Sequence, residues 1–255
     1  MQPRLYTFRI SHFSEKVRWA LDHARIPYEE RTLVPGAHLP IIRRRARKSS
    51  VPLLEHDGNV VQGSSTILDY LENRLGAKTL AIPEAHTTRA KELERLADQA
   101  FGLATQQVFY DELLDRPEIV VDLFTQGAPK WSRPIVRAVL PLLRHGIRRQ
   151  YRISPDVVRA AKERYARAFD ETDRLLAETG GPFLLGERIT RLDLTVAALL
   201  GPSVRPPEHL VRWPSESDVP PSLVDFLRPF ESRPTWQLAA RLYREHRRAP
   251  AERRT

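Results

Sequence analysis

Cysteine is absent from all 255 residues. Its absence excludes disulfides, thiolate metal sites and thiol redox catalysis by the chain itself, and it suits a reducing, cytoplasmic compartment. No apolar run reaches roughly 18 residues, so no membrane-spanning helix is expected. The start Met1-Gln2-Pro3-Arg4-Leu5-Tyr6 leads directly into a strand-like run, not a signal peptide. There is no internal repeat. There is also no zinc-finger spacing and no basic sheet motif interleaved with aromatics. The net charge of +9 is therefore not read as nucleic-acid binding. That charge, with a pI near 10.1, favours acidic partners, anionic ligands or anionic surfaces. Hydrophobic residues at 41% and charged residues at 29% describe a globular chain, and its length admits one or two domains.

What is present centres on Val51-Pro52. Leu53, Leu54 and Glu55 suit a strand, Asp57-Gly58 a two-residue hairpin turn, and Asn59, Val60 and Val61 the returning strand. Ser64 or Ser65 then caps a helix with Ile67, Leu68, Leu71 and Leu75 on one face, and Gly76 ends it. A proline heading such a strand cannot donate to the ladder, and a cis bond there is a built feature. Upstream, residues 5–10 alternate as a strand. Phe13, Val17, Ala20, Leu21 and Ala24 recur at helical spacing, and residues 28–34 form a second strand after Pro27. The order is strand, helix, strand, connector, hairpin, helix.

Downstream the patterns are helical. Residues 87–114 read as one long helix, and 155–179 as another with Ser154 at its N-cap and Pro155 at its first position. Thr190 and Asp193 form a capping box ahead of an almost wholly apolar helix, and both are structural. From Leu123 to Ile153 there is no acid, yet seven Lys or Arg residues interleave with apolar ones. This segment reads either as a helix walling an apolar site or as a basic amphipathic helix on an anionic membrane; packing on the core is favoured. The tail from residue 243 reads as polar, basic and frayed.

Ser11, Ser14, Val17, Arg18, Ala20 and Leu21 resemble the N-terminal motif of serine-type glutathione transferases, such as the zeta and theta classes. Thioredoxins have Cys-x-x-Cys at the place of Ser11 and Ser14. The Pro52 hairpin and the segment Leu185-Gly186 to Thr190 and Asp193 extend the resemblance. It implies an α/β thioredoxin-like domain over 1–78, an all-helical domain over 87–246 lining an electrophile site, and a basic tail over 247–255. It further implies a homodimer and glutathione as co-substrate. The activity implied is attack of the glutathione thiolate on a hydrophobic electrophile, as in detoxification. A silent binding or scaffold protein of the same fold is the alternative, and a glutathione-dependent isomerase or dehalogenase a third. No metal and no nucleic acid are expected.

On this resemblance Ser11 activates the thiol: a hydroxyl donor to a thiolate adds a hydrogen bond of about 1.5–3 kcal/mol. Its plainer role is the helix N-cap. Ser14, Arg47, Lys48, Val51, Pro52, Gly63 and Ser64 are the implied glutathione-binding residues. The family places a Glu where this chain has Gly63, which removes the usual partner of the γ-glutamyl ammonium; Gln62, Asp98 or an acid from a partner chain is a candidate substitute. His12, between the two serines, is not read as part of a hydrolytic triad, because no Gly-x-Ser-x-Gly elbow is present.

Overall fold

A computed structural model describes residues 1–247. Four strands form one sheet in the order β2-β1-β3-β4. Strands β1 (Arg4–Phe8) and β2 (Glu29–Leu33) run parallel, with Arg4 opposite Glu29 and Phe8 opposite Leu33. Strand β3 (Leu53–His56) is antiparallel to both β1 and β4 (Asn59–Gln62). The β3–β4 turn places Asp57 and Gly58 at φ 47° and 76°. Two positive φ values match the twist of the flanking strands and explain the Asp-Gly pair.

Helix α1 (His12–His23) crosses from β1 to β2. Helices α2 (His38–Arg43) and α3 (Ser64–Arg74) complete the sheet unit. The helical unit comprises α4 (Thr87–Ala97), α5 (Thr105–Leu113), α6 (Pro117–Thr125), α7 (Ser132–Gln150), α8 (Pro155–Thr179), α9 (Arg191–Val204), α10 (Pro221–Leu227) and α11 (Pro234–His246). This is the expected thioredoxin-like sheet unit followed by an all-helical unit.

Local signals set several boundaries. Ser154 Oγ accepts from the Val157 N–H, and Gly180 ends α8 at φ 61°. The Asp193 carboxylate accepts from the Thr190 N–H, the Thr190 hydroxyl and the Leu184 N–H, so it both starts α9 and ties down the preceding loop. Helix α9 is buried from Arg191 through Ser203. One continuous core joins the units: Leu5, Val17 and Leu21 belong to the same cluster as Phe101, Leu194 and Leu199.

Three expectations are corrected. The run from 87 is not one α-helix, because Asp98–Ala104 forms a π-helical segment between α4 and α5. The N-cap of α3 is Gly63 at φ 99°, not Ser64 or Ser65. The chain from 243 is not frayed: Tyr243 is buried, and buried Arg247 donates to Glu15 at 2.6 Å and Asp22 at 2.8 Å. The rest of the expected basic tail, 248–255, lies outside the described residues. Helix α7 packs on the core through buried Val136 and Leu140. Arg133, Arg137, Arg144 and Arg148 pair with Asp122, Glu118 and Asp115, acids that precede the acid-free stretch.

Candidate functional site

A cleft of about 1420 Å³ lies between the sheet unit and the helices. Its walls differ in chemistry. Ser11, Lys48, Ser49, Ser50, Ser64, Ser65 and Asp98 supply polar groups from the sheet unit and the π segment. Phe109, Leu113, Val120, Phe124, Val136 and Leu223 supply an apolar wall from the helices. Such a cleft suits a polar ligand held beside an apolar one.

Ser11 is the N-cap of α1, and its Oγ accepts from the Ser14 N–H at 3.1 Å. A hydroxyl carries one hydrogen and two lone pairs. The cap occupies a lone pair, so the hydrogen remains for a ligand; Ser11 donates to no group among the described residues. The first-turn N–H groups of α1 add positive potential beside it.

Val51 and Pro52 line the cleft, and the peptide between them is cis. The Pro52 carbonyl accepts from the Gly63 N–H at 3.1 Å, joining the loop to the start of α3. Ser64 lies in the first turn of α3, buried and lining the cleft. Helix N-termini present unpaired N–H groups suited to an anion. Lys48 lines the cleft as well.

Ser14, Arg47 and Gln62 are placed differently. Ser14 is fully buried away from the cleft, because one turn of α1 carries it to the interior side; its Oγ has no hydrogen-bond partner among the described residues. Arg47 is exposed and does not line the cleft. Gln62 turns its amide to the Lys48 and Ser50 carbonyls at 2.8 and 2.7 Å, so it pins the loop before Pro52.

Gly63 has room for a side chain, with only Thr66 Oγ1 at 3.8 Å from a built Cβ, but its φ of 99° is one that L-residues rarely adopt. Asp98 is the one acid among the described residues lining the cleft. Its carboxylate accepts from Ser65 Oγ at 2.7 Å and from buried Lys16 at 3.0 Å. Its charge is thus already compensated.

Sequence reading missed the pair Tyr110 and Tyr151, which line the cleft with ring centroids 5.2 Å apart. Burial pushes both phenols up, Tyr151 to about 12, so both stay protonated donors at neutral pH. They come from α5 and the end of α7, and nothing in their local spacing marks them as neighbours. His12 also reaches the cleft wall, but its Nε2 bonds the Gly102 carbonyl at 3.2 Å and burial lowers its pKa to about 4. It is a structural histidine.

Residues 5–79 match the family model described as glutathione S-transferase, N-terminal domain. No curated protein matches the sequence. Among solved structures, the chain resembles a glutathione S-transferase of Ceriporiopsis subvermispora in complex with glutathione, at 14% identity and a TM-score of 0.62, over 99% of this chain and 100% of that one. It resembles the β-etherase LigF of Sphingobium sp. strain SYK-6 at 17% identity and 0.60, over 94% and 98%. It also resembles a glutathione S-transferase of Methylobacterium radiotolerans in complex with glutathione sulfonate, at 19% identity and 0.54, over the whole of both chains. These likenesses define the fold: a thioredoxin-like sheet unit followed by a helical unit, the architecture of those structures.

Proposed function

We propose that this chain is a glutathione transferase of the serine type. The observation that carries the reading is the Ser11 hydroxyl: capped as an acceptor, it retains a donor in the polar part of the cleft. Bound glutathione supplies the thiolate that attacks an electrophilic carbon, with the thiol proton lost to solvent and the leaving group taking its electron pair. Ser11 donates to the sulfur and favours its ionised form. The start of α3 at Ser64 and the Lys48 side chain suit carboxylates. The apolar wall takes the acceptor, with Tyr110 and Tyr151 as neutral donors beside it. One observation favours the non-catalytic reading: Asp98 is already paired with Lys16, so the γ-glutamyl ammonium meets no unpaired acid on the described wall.

The test is the ultraviolet absorbance of bound thiolate against pH. Ser11→Ala is expected to raise the thiol pKa by about one to two units, which is about 1.5–3 kcal/mol at 1.36 kcal/mol per unit. Ser14→Ala is expected to leave the titration in place, because its hydroxyl is buried away from the cleft. Ser11→Ala also removes a cap, costing about 1 kcal/mol of stability, so unfolding is measured alongside. A wild-type complex with no thiolate below the ordinary thiol pKa would favour the silent binding protein.

A further inference from the structure

Helix α7 has three faces. Each residue turns the helix by about 100°. Val136 and Leu140 are buried, with Leu143 and Ile147 packed beside them on the core. A second face carries the arginines paired with Asp115, Glu118 and Asp122. The third carries Trp131, Ile135, Leu142 and Val139, followed in line by Arg149. Six large apolar side chains are exposed among the described residues, and four of them form this stripe; Trp131 is 66% and Leu142 73% exposed. Scattered exposed apolar residues need no explanation, but a contiguous stripe at helical spacing does.

The stripe is continuous with the cleft, since Ile135, Val139 and Leu142 also line it. Across the mouth lies the loop through Gly36, where a built Cβ would stand 2.9 Å from Leu143 Cδ2. That loop leads into α2 and the basic connector. Arg43, Arg44, Arg47 and Lys48 are exposed there, with no acidic partner among the described residues. Of these cations Lys48 lines the cleft, so the mouth carries the apolar stripe of α7, extended by Trp131, and one end of the cationic connector.

We infer that this mouth docks on an anionic lipid surface, with the apolar stripe of α7 in the interface and the 43–48 connector against the headgroups. An apolar helix face with a tryptophan and neighbouring cations is the chemistry of an interfacial helix. A second copy seated on the stripe would bring like-charged connectors together. If the transferase reading above also holds, an acceptor dissolved in the lipid enters the cleft directly; the docking itself does not depend on glutathione.

The experiment is vesicle binding by the full chain without glutathione, so its failure is separate from failure of the thiolate titration. Trp131 is the most exposed of the four tryptophans and reports on the stripe. Phosphatidylcholine vesicles containing phosphatidylserine are expected to carry the protein in flotation, shift its tryptophan emission to the blue and shield it from acrylamide. Arg43→Gln, Arg44→Gln and Arg47→Gln together are expected to weaken binding about a hundredfold, at about 1 kcal/mol per cation near the surface. Trp131→Ser with Leu142→Ser is expected to abolish flotation while the circular dichroism stays unchanged. Flotation absent at low salt with emission unmoved would overturn the inference. So would equal binding to pure phosphatidylcholine, or binding insensitive to both variants. A dimer that already shields Trp131 and is dissociated by Trp131→Ser would overturn it as well, in favour of a second copy.

Discussion

Lowering the pH from about 7 to about 5 is expected to cost the folded protein about 4 kcal/mol, from two histidines at about 1.36 kcal/mol per pKa unit each. His12 begins α1 in the sheet unit, and His209 follows α9 in the helical unit. Both are buried, at 4% and 6% exposure. Burial lowers each pKa from 6.5 to about 4. His209 Nδ1 accepts from the Val211 N–H at 3.0 Å. A backbone N–H can only donate, so a proton on that nitrogen would break the bond. His12 in turn bonds the Gly102 carbonyl, and positive charge on one ring disfavours it on the other. The folded chain holds both rings neutral while the unfolded chain accepts the protons. Stability is therefore full above about 6.5, falls as the pH drops towards 4, and levels out below the folded pKa values. Denaturant midpoints measured across this range at constant ionic strength give the slope. A double variant, His12→Gln with His209→Gln, is expected to flatten it, because a glutamine amide still donates to Gly102 and accepts from Val211 but does not titrate. A wild-type slope no steeper than that of the double variant would mean that the rings are hydrated in the folded state.

The features legible in the sequence are those whose causes are local. The Asp57-Gly58 turn, the Ser154 cap of α8 and the Thr190–Asp193 box each rest on residues within three positions of one another. The same holds for Ser11, Val51, Pro52 and Ser64, which occupy short segments whose geometry places them on the cleft. Ser14 failed because helical rotation carries it inward, and Arg47 because the connector turns its side chain outward. Helix α1 was the larger omission. Phe13, Val17, Ala20 and Leu21 suggest one apolar face, yet Glu15, Lys16 and Arg18 are buried too. The sheet lies on one side of this helix and α9 on the other, so no face is left for water. Arg247, the partner of Glu15, is 232 residues away, and no local pattern announces such a pairing. The π segment was equally hidden, since it preserves the apolar spacing of the helices on either side.

Replacing Lys16 with methionine is expected to destabilise the protein by about 3–5 kcal/mol, the cost of stranding a buried charge whose partner is removed. Lys16 is fully buried on α1, and its ammonium spends all three hydrogens: Glu94 lies at 2.8 Å, Asp98 at 3.0 Å and Ser65 Oγ at 2.8 Å. Two of these partners belong to the helical unit, so this one side chain joins the units beneath the cleft. Burial alone would raise the pKa of Glu94, but Lys16 and Arg191 hold it below its ordinary value. Without Lys16, Glu94 keeps Arg191 at 3.1 Å and Asp98 keeps only Ser65. Methionine fills similar space, which confines the loss to the charge rather than the volume. Adding Asp98→Asn to Lys16→Met is expected to recover part of the loss, because the amide needs no counter-charge and still bonds Ser65. Denaturant unfolding of the wild type, both single variants and the double variant isolates that coupling. Additive losses would mean that water already screens the Lys16–Asp98 pair; a recovery in the double variant would identify the pair as a buried electrostatic link between the sheet and the helices, directly behind the proposed ligand.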